Sequence, residues 1–247
     1  MRLIRKKRMS VAHSPKQNQV LAAMPANCYA RLLPDLEHVE MPLGKVLYES
    51  DTELQHVYFP TTSIVSMLQV MDDAARAGIA MVGNEGLVGL ALFIGDAAIP
   101  NRALVQSAGE GYRIKAQFLR GEIDRAGPLL DLLLIHTKAL VVQMVNTAAC
   151  NRHHSLEQRF CRWLLSTLDR HSSKQIGMTQ ELLADVLGAR PESIGALVRQ
   201  LGGDGLIRHR GHWVELRDRA EVEARTCECY ALLMMEVDRL LHRGDGK

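Results

Sequence analysis

Between Met178 and Leu216 the chain sets out polar and cationic groups at spacings suited to contact with a polyanion. Glu192, Ser193, Ala196, Arg199 and Gln200 recur at the three- and four-residue intervals of one helical face. Ile194, Leu197, Val198 and Leu201 take the opposite face, so such a helix buries one side and turns the other outward. The outward groups are small or polar, and a helix of that kind can lie in a DNA groove and hydrogen-bond to base edges. A few residues later Arg208, His209, Arg210 and His212 crowd round Gly211, a local concentration of cations that suits phosphate.

Two helices and a hairpin are needed to hold these groups. The first helix starts after Thr179 as N-cap and buries Leu182, Leu183, Val186 and Leu187. Gly188-Ala189 makes the turn, and Pro191 sits in the first turn of the second helix, where its missing N–H costs nothing. Gly202, Gly203 and Gly205 are expected to stop that helix. The chain then runs out along Leu206 to His209, turns at Arg210-Gly211 and returns along His212 to Leu216. This pattern predicts a winged helix-turn-helix. A plain helical hairpin would explain the helices and leave the wing without a purpose.

Upstream, short helices are expected between Lys16 and Pro34, broken at Pro25 and Pro34. From Val39 to about Ile114 the texture changes to short apolar–polar runs between turns. Candidate strands are Val46 to Tyr48, His56 to Phe59, Ile64 to Leu68, Ile79 to Val82 and Arg102 to Gln106, with a turn at Gly95-Asp96 among others. Strands this short and regular suggest a closed antiparallel roll. Pro128 then opens a long helix to about His153, in which Leu130, Leu134, Thr137, Val141, Met144 and Ala148 step by four and three, as in a dimerisation seam. Leu133 and Leu140 lie beside the seam and would pack on the roll. Ser155 is a cap for a helix carrying Phe160, Trp163, Leu164 and Leu168, and Asp218-x-x-Glu221 resembles a capping box for one last helix, with Val222, Leu232, Leu233, Val237 and Leu240 apolar. The expected fold class is α+β: an N-terminal antiparallel, jelly-roll-like β-roll, a long dimerisation helix and a C-terminal winged helix-turn-helix. The corresponding units are 1–127, 128–154 and 155–247.

At 247 residues, with 47% hydrophobic and 23% charged residues, the chain is long enough for two cores. A net charge of +2 is too small to identify a nucleic-acid partner, so the position of the charge matters more than its sum. The segment Met1 to Met9 is basic without a following apolar stretch, which suggests an arm touching phosphates and not a secretory signal. No apolar run looks long enough to span a bilayer, the nearest being Pro128 to Ile135, and a cytoplasmic location is expected. Cys28, Cys150, Cys161, Cys227 and Cys229 are odd in number and scattered. Cys227-x-Cys229, placed on a terminal helix, would point two thiols in different directions. Neither metal nor disulfide is therefore expected, no cofactor is implied, and a redox role for Cys150 and Cys161 beside the interdomain hinge is a minor alternative. Enzyme chemistry finds little support. The β segment offers His56, with His38 just before it, against the several ligands a cupin needs, and Gly83-Asn84-Glu85-Gly86 lacks the Lys-Ser/Thr of a phosphate loop.

The order of roll, long helix and winged helix-turn-helix resembles the Crp/Fnr family of bacterial transcription regulators. The residues carrying the resemblance are Leu43 to Tyr48 with His56 to Phe59, then Leu156 to Phe160 and Met178 to Ile207. It extends over nearly the whole chain, and the helix-turn-helix is its most specific part. The resemblance implies a cyclic-nucleotide-binding-like domain, a homodimer, a palindromic double-stranded DNA operator, and contact with RNA polymerase. It assigns base reading to Glu192 and Ser193, helped by Arg190, and phosphate contacts to Gln180, Arg199, Arg208, His209, Arg210 and His212. Two departures stand out. The arginines that open the reading helix in cyclic-AMP-responsive members are replaced by Pro191 and Ala196, with Glu192 kept. In the effector pocket, Gly89-Leu90 and Asn101-Arg102 stand where a Gly-Glu pair and an Arg-Ser pair hold the nucleotide, so the acid is lost and the arginine displaced by one place. Cyclic AMP is therefore not the expected effector; a different nucleotide, or none, is. The iron–sulfur cysteines of the oxygen-sensing branch are also missing, since Cys28 stands alone in the N-terminal segment.

Overall fold

Alternation of apolar and polar residues over the first half of the chain closes two antiparallel sheets on each other. The computed structural model describes residues 14–72, 75–93, 101–125, 127–171 and 175–242; the basic arm, the Gly95-Asp96 turn and the side chain of Leu240 lie outside the described residues. Helices α1 (Gln19–Ala23) and α2 (Ala26–Leu32) lead into β1 (Glu37–Met41), β2 (Val46–Tyr48), β3 (His56–Pro60), β4 (Ile64–Val70), β5 (Arg76–Val82), β6 (Asn101–Ser107) and β7 (Gly109–Lys115). One sheet has the order β1-β7-β3 and the other β2-β6-β4-β5, all pairs antiparallel. Sequence patterning missed β1 and β7 as separate strands. Both carry charged or small residues on both faces, Glu37, Glu40, Glu110 and Arg113 among them, and so show weak apolar alternation.

The first core lies between the sheets and includes Val57, Phe59, Val65, Val105 and Ile114, with Leu129 and Leu133 covering it from outside. Strand β4 is buried from Ile64 to Leu68 because its second face is also covered. Leu68 and Leu104 belong to the other core, built by α5 (Leu156–Asp169), α6 (Gln180–Leu187) and α7 (Pro191–Gly203). A buried polar chain crosses the same junction: Ser66 Oγ donates to Gln106 Oε1, and Gln106 Nε2 donates to Thr167 Oγ1 at 3.0 Å. The roll and the C-terminal half are thus packed together.

Helix α3 (Ala116–Ile123) is followed by α4 (Pro128–His153), whose buried face is Leu129, Leu133, His136, Gln143, Thr147 and Cys150. Ser155 caps α5 through a complete capping box with Gln158. Two features of α4 correct the sequence reading. The apolar character does not stop near Ile135: an 18-residue window of this 26-residue helix has a mean hydropathy of 1.5, long and apolar enough by composition alone to cross a bilayer. In the fold α4 packs on β5 and on α9 (Cys229–His242), so polar His136, Gln143 and Thr147 meet protein. Met144, expected in an outward seam, is half-buried against the first core.

Past α5 come β8 (Gln175–Gly177), the α6–α7 pair, β9 (Ile207–Arg210), β10 (Trp213–Leu216) and α8 (Arg219–Ala224). Asp218 accepts from Glu221 N at 3.0 Å and caps α8 as expected. The last helix is not continuous. Between α8 and α9 the chain breaks at Arg225 to Glu228, which brings Cys227 and Cys229 to the entry of α9 in place of its interior.

Candidate nucleic-acid interface

Thr179 Oγ1 accepts from Leu182 N at 3.2 Å and starts α6. Gly188 ends it in the left-handed region, φ 57°, a conformation glycine adopts without strain, and Pro191 opens α7. On α7, Ile194, Leu197, Val198 and Leu201 are buried, while Glu192, Ser193, Ala196, Arg199 and Gln200 face solvent. One boundary is corrected: Gly202 and Gly203 lie inside α7, whose C-cap is Asp204, and Gly205 makes the turn at φ +80°.

A Cβ on Gly195 would stand 3.1 Å from Gln180 Oε1 and 3.5 Å from Arg199 Nη1. Gln180, at the start of α6, and Arg199, two turns into α7, therefore converge over the helix at Gly195, a position without a side chain. A mid-helix glycine costs about 1 kcal/mol relative to alanine; here it makes room for that convergence. Periodicity marked the outward face and passed over Gly195.

The wing is a hairpin with Val214 opposite His209 and Glu215 opposite Arg208, turned at Gly211 with φ +58°. Strand β8 pairs on the other side of β10, a third strand the sequence reading did not contain. Val214 and Ile207 anchor the wing in the core, and Arg208, His209, Arg210 and His212 are all exposed. Trp213 is exposed as well, with its ring 3.4 Å from where a Cβ on Gly177 would be. Arg190, Glu192 and Ser193 stand exposed at the start of α7, so every residue proposed for DNA contact is at the surface. Their arrangement offers acceptors and small donors along one helix, with cations at the wing.

The positions aligned with an effector pocket are distributed differently. Leu90 is buried in the first core, and Gly89 has φ +112°. Asn101 is buried and its Oδ1 accepts from Tyr48 Oη at 2.9 Å. Arg102, one place along the strand, pairs with Glu49 at 3.1 Å on the partly exposed side. Nearby, loop 83–87, α4 and α9 line a partly open pocket with about 40 Å³ of space, bordered among others by Glu85, Leu90, His136, Gln143, Arg170 and Glu236. That is room for a few waters, while a neighbouring pocket of about 440 Å³, lined by Thr61, Thr62, Asp169 and His171 among others, shares Glu85 and Arg170 with it. Inside this junction Glu85 and Arg170 form a buried ion pair at 2.7 Å. Burial pushes the His136 imidazole down to about 4, with the Glu85 charge opposing the shift.

On the outward face of α4, Leu134, Val141 and Val145 are 56%, 52% and 65% exposed, with Ala148 exposed on the same stripe. Leu130 and Thr137 of the expected seam are half-buried, and Val145 is a member that heptad counting left out. Among the cysteines the sequence reading needs correction. Cys150, His154, Cys227 and Cys229, separate in sequence and given no shared ligand spacing, place one ligand atom each within 4.8 Å of one another.

Residues 158–225 match the family of Crp-like helix-turn-helix domains. No curated protein sequence matches the chain. Among solved structures, a Crp/Fnr-family protein from Eubacterium rectale superposes with a TM-score of 0.68 at 12% identity, over 85% of this chain and 98% of that one. FixK2 from Bradyrhizobium japonicum gives 0.66 at 17% identity, over 78% and 98%. The regulator CLP from Xanthomonas campestris gives 0.60 at 18% identity, over 78% and 100%. The chain therefore has the fold of Crp/Fnr-family structures over most of its length, and its residues 158–225 are similar to Crp-like helix-turn-helix domains.

Proposed function

We propose that the protein is a homodimeric, sequence-specific DNA-binding regulator of transcription, and that cyclic AMP is not its effector. The observation that carries this reading is the exposed face of α7, with Glu192 and Ser193 outward, Gln180 and Arg199 converging beside them and the wing cations flanking. Glu192 would accept from a cytosine amino group, and Arg208 and Arg210 would hold phosphates. Dimerisation is supported by the α4 stripe, since three large aliphatic side chains left half in water on one face of a long helix suit a second copy of it. A dimer would place two α7 helices on paired half-sites about one DNA turn apart.

The effector reading rests on chemistry. A cyclic phosphate buried in the roll needs a fixed cation and an acceptor for the ribose hydroxyl. Leu90 gives no acceptor, Asn101 no charge, and Arg102 is engaged by Glu49. A structural neighbour described as c-di-GMP-responsive indicates that the fold can serve a different nucleotide. A second reading is DNA binding with no small ligand, since Leu90 and Asn101, at the positions aligned with the nucleotide site, are taken up by the roll's own packing and hydrogen bonding. Selection of operators from random DNA by the purified protein, with and without cell extract, tests both readings. A two-fold-symmetric sequence should emerge, and failure to enrich any sequence would overturn the proposal. Enrichment that depends on the extract would favour an effector, and enrichment without it the ligand-free reading.

A further inference from the structure

We propose that Cys150, His154, Cys227 and Cys229 form a tetrahedral site for zinc, which pins the entry of α9 to the end of α4. Cys150 and His154 are one turn apart on the last turn of α4 and its cap, so both face the same side. The break between α8 and α9 then presents Cys227 from a loop and Cys229 from the first residue of α9. Two ligands come from each element, with the ligand atoms within 4.8 Å of one another.

Edge lengths match the ion. Zinc bound at about 2.3 Å to sulfur and about 2.0 Å to nitrogen sets tetrahedral neighbours about 3.8 Å apart for two sulfurs and about 3.5 Å for sulfur and nitrogen. Cys150 Sγ and Cys227 Sγ are 3.6 Å apart, and Cys229 Sγ and His154 Nδ1 are 3.7 Å apart. The histidine is also oriented from behind. Its Nδ1 faces the thiols while its Nε2 lies 3.3 Å from the carboxylate of Glu228, the residue between Cys227 and Cys229. A carboxylate on the far nitrogen fixes the tautomer and the ring plane of a metal-bound imidazole. The three cysteines form a small buried cluster of their own, distinct from both apolar cores, so ordinary core packing does not account for them.

Binding is a ligand exchange and involves no oxidation. The zinc ion takes three thiolate sulfurs and the neutral Nδ1 lone pair; three thiol protons pass to solvent, and the assembled site carries one net negative charge. Buried Arg162, within electrostatic range of Cys150, supplies a compensating cation. Four coordinate bonds would then close a loop from residue 150 to residue 229 that contains the whole winged helix-turn-helix.

The test uses the full chain, purified under reducing conditions without chelator. Elemental analysis should find one zinc per chain, and cobalt exchanged into the site should give thiolate-to-cobalt charge-transfer absorption with tetrahedral d–d bands. Cys227→Ser and Cys229→Ser should each lose the cobalt spectrum. Glu228→Ala, at a side chain exposed to solvent and outside the ligand set, should fold normally and bind zinc about 10- to 100-fold more weakly in competition with a chelator. Folded, reduced protein that takes up neither zinc nor cobalt would overturn the proposal. So would a Cys150–Cys227 disulfide in protein isolated without oxygen, or a Glu228→Ala variant with unchanged affinity.

Discussion

Single side chains separate specificity from affinity at the proposed DNA surface. Glu192 is exposed at the start of α7, where it can reach a base edge, so Glu192→Ala should relax the preference at one position per half-site by about 1–3 kcal/mol. Arg208→Ala or Arg210→Ala should instead weaken all sequences alike and lower the salt slope by about one, read from binding isotherms across ionic strengths. An unchanged selected operator for Glu192→Ala would place base reading elsewhere. These residues were legible in the sequence because helical periodicity separates an outward face from a buried one. Gly195 was not, since a missing side chain has no period; only the approach of Gln180 and Arg199 gives it a role. In the roll, titration calorimetry with cyclic AMP should give a dissociation constant weaker than about 10 μM, or about −7 kcal/mol. Tighter binding would mean that Arg102 leaves Glu49 and turns inward.

Elements carry the next set of consequences, and α4 most of them. Its inner face is fixed by the roll and α9, which leaves Leu134, Val141 and Val145 exposed on the face proposed for the dimer contact. Leu134→Glu or Val145→Glu would place an unpaired charge in that contact and cost several kcal/mol. Sedimentation should then show monomers; an unchanged dimer mass would remove α4 from the interface. The helix itself was readable from Pro128 onward, and so were the caps at Thr179, Ser155 and Asp218, because each rests on local chemistry. What could not be read is where the chain bends by tertiary contact. Arg225, in the break after α8, pairs with Glu157, Asp204 and Glu221, two of them far away in sequence, and these pairs help hold the break in place. A reader of the sequence continues the helix through this segment and so sends Cys227 and Cys229 in different directions. The strand β8 was missed for a similar reason: three residues acquire their register only from β10.

Across the whole molecule, the junction between the roll and the C-terminal half should make stability depend on pH. His136 is held neutral there, down at about 4 against 6.5 in the unfolded chain, with Glu85, Arg170 and Glu236 lining the same pocket. The unfolded chain therefore binds the extra proton first as pH falls below about 6.5, and stability drops from there until the folded pKa is reached. Acidification from about pH 7 to about pH 5 should cost about 2 kcal/mol from this group, seen by urea denaturation, and His136→Gln should flatten that part of the profile. At the same junction, but nearer the DNA-binding surface, β5 meets α6. Arg76 pairs with Asp185 at 2.8 Å, and a Cβ on Gly78 would lie 2.4 Å from the carbonyl oxygen of Val186. One added methyl group would have to open that contact by about 1 Å to reach ordinary van der Waals separation. Since α6 and α7 share one core, a displacement of α6 by such a wedge at β5 would be passed to the reading helix as a rotation. Gly78→Ala would then act as a steric lever that alters the angle between paired reading heads, and hence the half-site spacing the protein accepts, without touching a single DNA-facing residue.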